Sequence, residues 1–146
     1  MLAILLCTLN GEDFILEQLN SIKDQTFKDY DLYIKDNFSE DKTRELIDKF
    51  KSENDKININ YLEGDGGHFA NSYIQGLHQI DHNYKFYAFC DQDDVWENNH
   101  LERSVEFLKK NTNKPSVYCS RTSLINDKGA MIGKSFRSSG SSRIRR

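Results

Sequence analysis

The stretch LAILLCTLNGEDFILEQLNSIKDQTFKDYDLYIKD, residues 2–36, changes its hydrophobic period twice. Leu2 to Thr8 is continuously apolar and bounded by a polar turn, the pattern of a strand buried on both faces. Phe14, Ile15, Leu19 and Ile22 then fall on one helical face, with the turn and acidic start Gly11-Glu12-Asp13 before them. Tyr30 to Asp36 returns to a strand pattern. A strand, a helix and a strand of this length form one βαβ unit, and its two strands are expected to be parallel.

The alternation continues along the chain. Residues 39–53 read as a helix with Ser39 as N-cap and Thr43, Leu46, Ile47 and Phe50 on its inner face. Residues 57–64 read as a third strand. The glycine-rich GDGG, residues 64–67, reads as a turn; it lacks the spacing of a phosphate-binding loop. A helix burying Phe69, Tyr73, Leu77 and Ile80 follows, then a fourth strand over residues 84–91. The next helix turns Leu101, Val105 and Leu108 inward. A further strand begins at Pro115, and the NDKG turn at residues 126–129 starts a hairpin. The fold class is therefore α/β, a mostly parallel sheet with helices on both faces. One domain is expected over residues 1–134, followed by a mobile Ser/Arg-rich tail over residues 135–146.

Composition narrows the function. The chain has 146 residues and a net charge of −3, so no basic field attracts nucleic acid. The apolar start is too short to span a bilayer and lacks the flanks of a secretory signal. Cys7, Cys90 and Cys119 share no metal-ligand spacing and are expected as buried thiols of a cytoplasmic protein. The four histidines form no zinc pattern.

In parallel sheets ligands bind beyond the carboxyl ends of the strands. That rule gathers Thr8-Leu9-Asn10, Asp36-Asn37 and Asp91-Gln92-Asp93-Asp94 along one edge. The last group sets three carboxylates within four residues, FCDQDDVW at residues 89–96. Such a cluster suits a hard divalent cation, Mn²⁺ or Mg²⁺, which takes one or two carboxylates and completes its shell with phosphate and water. If the backbone stays extended, Asp91 and Asp93 project to one side and Asp94 to the other. A solvated acidic turn remains the alternative on spacing alone. Asp36-Asn37 suits either a ribose or base contact or an ordinary turn.

Read in order, TLNG, EQLNSI, QTFKDYDL, SEDKT, EGDGGHFAN and FCDQDDVW resemble the inverting family 2 glycosyltransferases, of GT-A fold, and D-x-D-D-x-W resembles their rhamnosyltransferase-like branch. The resemblance runs from about Leu2 to Gly133. It implies transfer of a sugar from a nucleoside diphosphate sugar to an acceptor hydroxyl with inversion, in cell-surface polysaccharide or glycan synthesis. It implies that Thr8 and Leu9 line the nucleotide pocket, that Asp36 and Asn37 lie near base and ribose, that Asp91 reaches the ribose or the metal, and that Asp93 holds the metal. Three positions depart from the pattern: Leu9 stands for an aromatic, Asn37 for a second acid and Ala70 for an arginine. The family continues into an acceptor-binding half carrying the general base, and no residue here matches that base. The expected partners are the donor and a glycan or lipid-linked acceptor, with no nucleic acid. Membrane-peripheral association at the inner face and self-association stay open. The alternatives are a non-catalytic donor-binding fragment and a metal-dependent nucleotidyltransferase.

Overall fold

A computed structural model describes residues 1–64, 69–111, 114–126 and 129–134. The expected turn at Asp65, Gly66 and Gly67, the inward side chain of Phe69 and the tail at residues 135–146 lie outside the described residues. The chain divides into two compact units, Met1–Glu106 and Phe107–Arg146.

The order is β1 (Leu2–Thr8), α1 (Ile15–Lys23), β2 (Tyr30–Asp36), α2 (Thr43–Glu53), β3 (Ile59–Leu62), α3 (Phe69–Gln79), β4 (Phe86–Asp91), α4 (His100–Lys109), β5 (Ser123–Ile125) and β6 (Met131–Lys134). Strands β1 to β4 form one parallel sheet in the order β3-β2-β1-β4. Being central, β1 is buried at all seven positions, which is why its sequence does not alternate. On one face Leu2, Ile4 and Leu6 join Ile15, Leu19 and Ile22 of α1, Ile47 and Phe50 of α2, and Leu101 and Val105 of α4. On the other, Ala3, Leu5 and Cys7 pack with Ile80, Tyr73 and Leu77 at α3. Each fully buried Leu or Ile contributes about 1.5–3 kcal/mol.

Several expectations shift. Phe14 is exposed, because a turn closed by Phe14 N–H and Ile15 N–H on Gly11 O (3.0 and 2.9 Å) precedes the helix and leaves Phe14 at its cap. Ser39 does not cap α2. The helix starts four residues later, with Lys42 at the cap position and no side-chain cap bond. Strands β3 and β4 are shorter than their apolar runs.

Among the described residues of the second unit, regular strand is confined to β5 and β6, an antiparallel hairpin, and the strand expected from Pro115 forms only from Ser123. Gly129, at φ 74°, donates to Asn126 O at 2.9 Å in the connection, a conformation that favours glycine. The segment before β5 has no ladder to shelter it, so Cys119 is exposed, whereas Cys7 and Cys90 are buried. Among the described residues no helix is long and apolar enough to cross a membrane.

Candidate functional site

The parallel register aligns the strand ends: Thr8 stands beside Asp36, and Cys7 beside Asp91. Beyond them opens a cleft of about 370 Å³ lined by Cys7, Thr8, Leu9, Asn37, Asp91, Gln92 and Asp93. Five of the six expected site residues therefore meet there. The sixth, Asp36, is buried just behind, where its carboxylate accepts from Ser39 Oγ at 2.5 Å and Ser39 N–H at 3.3 Å.

Two loops frame the cleft and brace each other. Asn10 N–H donates to Ser39 Oγ (2.9 Å), Gly11 N–H to Thr43 Oγ1 (2.7 Å) and Glu12 N–H to Asp41 Oδ2 (3.0 Å). In return Glu40 N–H donates to Asn10 Oδ1 and Lys42 N–H to Glu12 Oε2, both at 2.9 Å. Side chains of one loop thus meet the backbone of the other, and this occupies Ser39, the expected cap. Asn10 and Phe38 sit at φ 49° and 64°. Asn tolerates this left-handed conformation, whereas Phe38 holds strain of about 1 kcal/mol beside the site.

The floor is set by Gln92, which the sequence reading passed over. Its Oε1 accepts from Thr8 Oγ1 (2.7 Å) and Leu9 N–H (2.9 Å), while Nε2 donates to Leu9 O (3.2 Å). An amide can meet both a backbone donor and a backbone acceptor, which the ionised carboxylates on either side of it cannot, and that was the available signal in DQDD. The backbone does not stay extended here: β4 ends at Asp91 and turns at residues 92–93. Asp91 and Asp93 nevertheless both line the cleft, through the turn and not through strand alternation, and Asp94 does not line it.

Asp91 Oδ1 accepts from Tyr73 OH at 2.5 Å, and Tyr73 OH also meets Cys90 O at 2.8 Å. Burial, then the bond to Asp91, pushes the Tyr73 phenol well above its ordinary range, so it stays a donor. Partial desolvation, followed by repulsion from Asp91 and Asp93, raises the Asp94 carboxyl. Asn37 N–H donates to Thr8 O at 2.9 Å, but its Oδ1 is buried without a hydrogen-bond partner among the described residues. A buried orphan acceptor costs about 1–3 kcal/mol.

Among the described residues no three His, Cys, Asp or Glu side chains converge as a ready-made metal cage. Two carboxylates on an open cleft fit a hard cation that draws its other ligands from phosphate and water. A larger hollow of about 580 Å³ lies at the ends of α1 and α2, lined by Lys23, Lys28, Glu53, Asn54 and Lys56 among others. There Lys28 Nζ donates to Lys23 O at 2.6 Å at the carboxyl end of α1, and Lys23 Nζ lies 5.8 Å from the centre of the Phe50 ring.

The parallel sheet places a carboxylate-bearing cleft at its carboxyl edge, where open α/β sheets take their ligands. Residues 3–141 match Glycosyl transferase family 2, and the chain belongs to that family. It is 32% identical over 105 residues to the dTDP-rhamnosyl transferase RfbG of Shigella flexneri, covering 70% of this chain and 36% of that protein. It is 30% identical over 114 residues to the UDP-Glc:alpha-D-GlcNAc-diphosphoundecaprenol beta-1,3-glucosyltransferase WfgD of Escherichia coli, covering 76% and 42%. The fold matches that of the mannosyltransferase PcManGT from Pyrobaculum calidifontis in complex with GDP-Man and Mn²⁺, with a TM-score of 0.68 at 19% identity, over 85% of this chain and 35% of that one. The chain thus spans about two fifths of the length of these relatives.

Proposed function

We propose that the chain binds a nucleoside diphosphate sugar in this cleft and serves an inverting glycosyl transfer to the hydroxyl of a glycan or lipid-linked acceptor, in cell-surface polysaccharide or glycan synthesis. The observation that carries the reading is the meeting of Thr8, Leu9, Asn37, Asp91 and Asp93 at one cleft, with an orphan acceptor in its wall. The names of RfbG and WfgD, which carry dTDP-rhamnosyl and UDP-Glc, and the GDP-Man complex of PcManGT support a nucleoside diphosphate sugar as the donor class. The name of WfgD, which carries a sugar on diphosphoundecaprenol, supports the acceptor class.

In this reading Asn37 Oδ1 accepts from the nucleobase imide, and Thr8 and Leu9 bound the nucleoside. Asp91, oriented by Tyr73, and Asp93 would hold Mn²⁺ or Mg²⁺. When bound, that cation supplies positive charge where the leaving group gathers negative charge. The acceptor oxygen bonds to the anomeric carbon as the bond to the diphosphate oxygen breaks on the opposite face, and a base takes the hydroxyl proton. That base is assigned to none of these 146 residues. A second reading, donor binding without turnover by these residues alone, is favoured by their covering 36–42% of the two relatives.

The test is calorimetry with UDP-, dTDP- and GDP-sugars, with and without Mn²⁺, on the wild type and Asp93→Ala. The wild type should bind one class in a Mn²⁺-dependent way. Asp93→Ala should lose that dependence with its melting temperature held, because its exposed side chain adds little to the core. Unchanged Mn²⁺ dependence in the variant removes Asp93 from the site. Incubation with acceptor glycans, read by mass spectrometry, separates transfer from binding alone.

A further inference from the structure

Helix α1 buries two stripes. Beside the apolar Ile15, Leu19 and Ile22 runs a polar one of Gln18, Ser21 and Gln25, the last just past the helix end, at 0%, 7% and 0% exposure. Burying three polar side chains costs free energy unless each finds partners. Their partners outside α1 lie in one place, the chain that leads out of β4 towards α4.

Gln18 Nε2 donates to Cys90 Sγ, immediately before Asp91. Ser21 Oγ accepts from Trp96 N–H at 3.1 Å. Gln25 Nε2 donates to Glu97 O, and its Oε1 accepts from Leu101 N–H, both at 2.9 Å. Thr26 N–H adds a bond to Asn98 O at 2.8 Å. The connection from residue 94 to residue 99 has no helix or strand ladder, so side chains must answer its backbone groups. The α1 contacts begin one residue before the acidic turn and resume three residues after Asp93. On the cleft side, Gln92 ties the same turn to Thr8 and Leu9.

We propose that Gln18, Ser21 and Gln25 are positioning residues for the acidic turn, fixing where Asp91 and Asp93 present their carboxylates to the cleft. The proposal rests on the reading that those carboxylates hold a metal–diphosphate group. A stripe that only stabilised the fold would affect every ligand alike. A stripe that positions Asp91 and Asp93 affects the diphosphate and metal part selectively, and leaves the nucleoside wall of Thr8, Leu9 and Asn37 in place.

The experiment uses the full chain, with UDP, dTDP or GDP, whichever binds best with Mn²⁺, and the matching nucleoside monophosphate without metal. Ser21→Ala should weaken Mn²⁺-dependent diphosphate binding about ten-fold or more, as loss of a group orienting metal ligands does, while monophosphate affinity stays within about two-fold. Trp96, the only tryptophan, should shift its emission to the red as its backbone N–H loses its partner and water reaches the loosened segment around the indole. If Ser21→Ala does not fold, Gln18→Met decides by the same two affinities, since it leaves every contact to residues 96–101 intact. Equal loss for both ligands, or no loss for either, overturns the proposal and reduces the stripe to a fold element. A wild type that binds no diphosphate with Mn²⁺ overturns the parent reading, and this one with it.

Discussion

Substituting Gly11 by Ala tests how rigidly the cleft floor is held. A Cβ at residue 11 would lie 2.5 Å from Gln92 Oε1, 2.8 Å from Gln92 Cδ and 3.2 Å from Thr8 Oγ1. Contacts under 3.0 Å do not persist, so the Gln92 amide must retreat by about 1 Å to reach ordinary van der Waals distance. It is held by three hydrogen bonds, to Thr8 Oγ1, Leu9 N–H and Leu9 O. Each is worth about 0.5–1.5 kcal/mol net, and exposed Leu9 recovers part of the loss from water, so the expected cost is about 1–3 kcal/mol. Gly11 has no positive φ, so without the clash an alanine there would stabilise by about 0.4–1 kcal/mol through the unfolded chain. The assay is urea unfolding of the wild type, Gly11→Ala, Gln92→Ala and the double variant. In the Gln92→Ala background both contacts under 3.0 Å are gone, and its cost should fall to near zero or change sign. The coupling should therefore exceed about 1 kcal/mol, well above the scatter expected of independent sites. Additive effects would refute the reasoning, since Gln92 would then yield without loss.

Other outcomes can be checked alongside. Asn37→Asp exchanges an amide, which donates and accepts, for a carboxylate, which only accepts; it should sharpen the preference between uridine or thymidine and guanosine diphosphates, and identical selectivity would take this position away from the base. Tyr30, whose OH donates to Ile22 O at 2.9 Å, is raised by burial and then by Asp24 from its ordinary 10.0 to about 12. The stability it contributes is full below pH 10 and is lost as pH rises towards 12, because the unfolded chain releases the proton first. Tyr30→Phe should flatten that alkaline decline while costing about 1 kcal/mol at neutral pH for the lost bond, measurable by urea melts at pH 7, 10 and 11. Alkylation at pH 8 should modify exposed Cys119 before Cys7 and Cys90, since burial raises both inner thiols, Cys7 to about 12; early labelling of Cys7 by peptide mass would contradict its packing.

What the residues alone determined is local or strictly periodic. The unbroken apolar run at residues 2–8 specified a strand buried on both faces, and the 15, 19, 22 spacing specified the inner face of α1. The alternation of strands and helices then required a parallel sheet, so the carboxyl edge was a legible address for Thr8, Leu9, Asn37, Asp91 and Asp93 before any coordinate. What tertiary structure decided are contacts between residues far apart in the chain, which no local pattern encodes. Gln92 reads as a spacer between acids until β4 lies beside β1 and brings its amide to Leu9. Ser39 looks like a helix cap until the β1 loop arrives to take its hydroxyl. Gln18, Ser21 and Gln25 lie outside the apolar period of α1, and they are buried because the chain after β4 needs partners for backbone groups that no ladder satisfies. Hydrophobic period reports which side of an element is dry, but not which distant backbone a buried polar group will meet, because that partner is chosen by packing after the elements form.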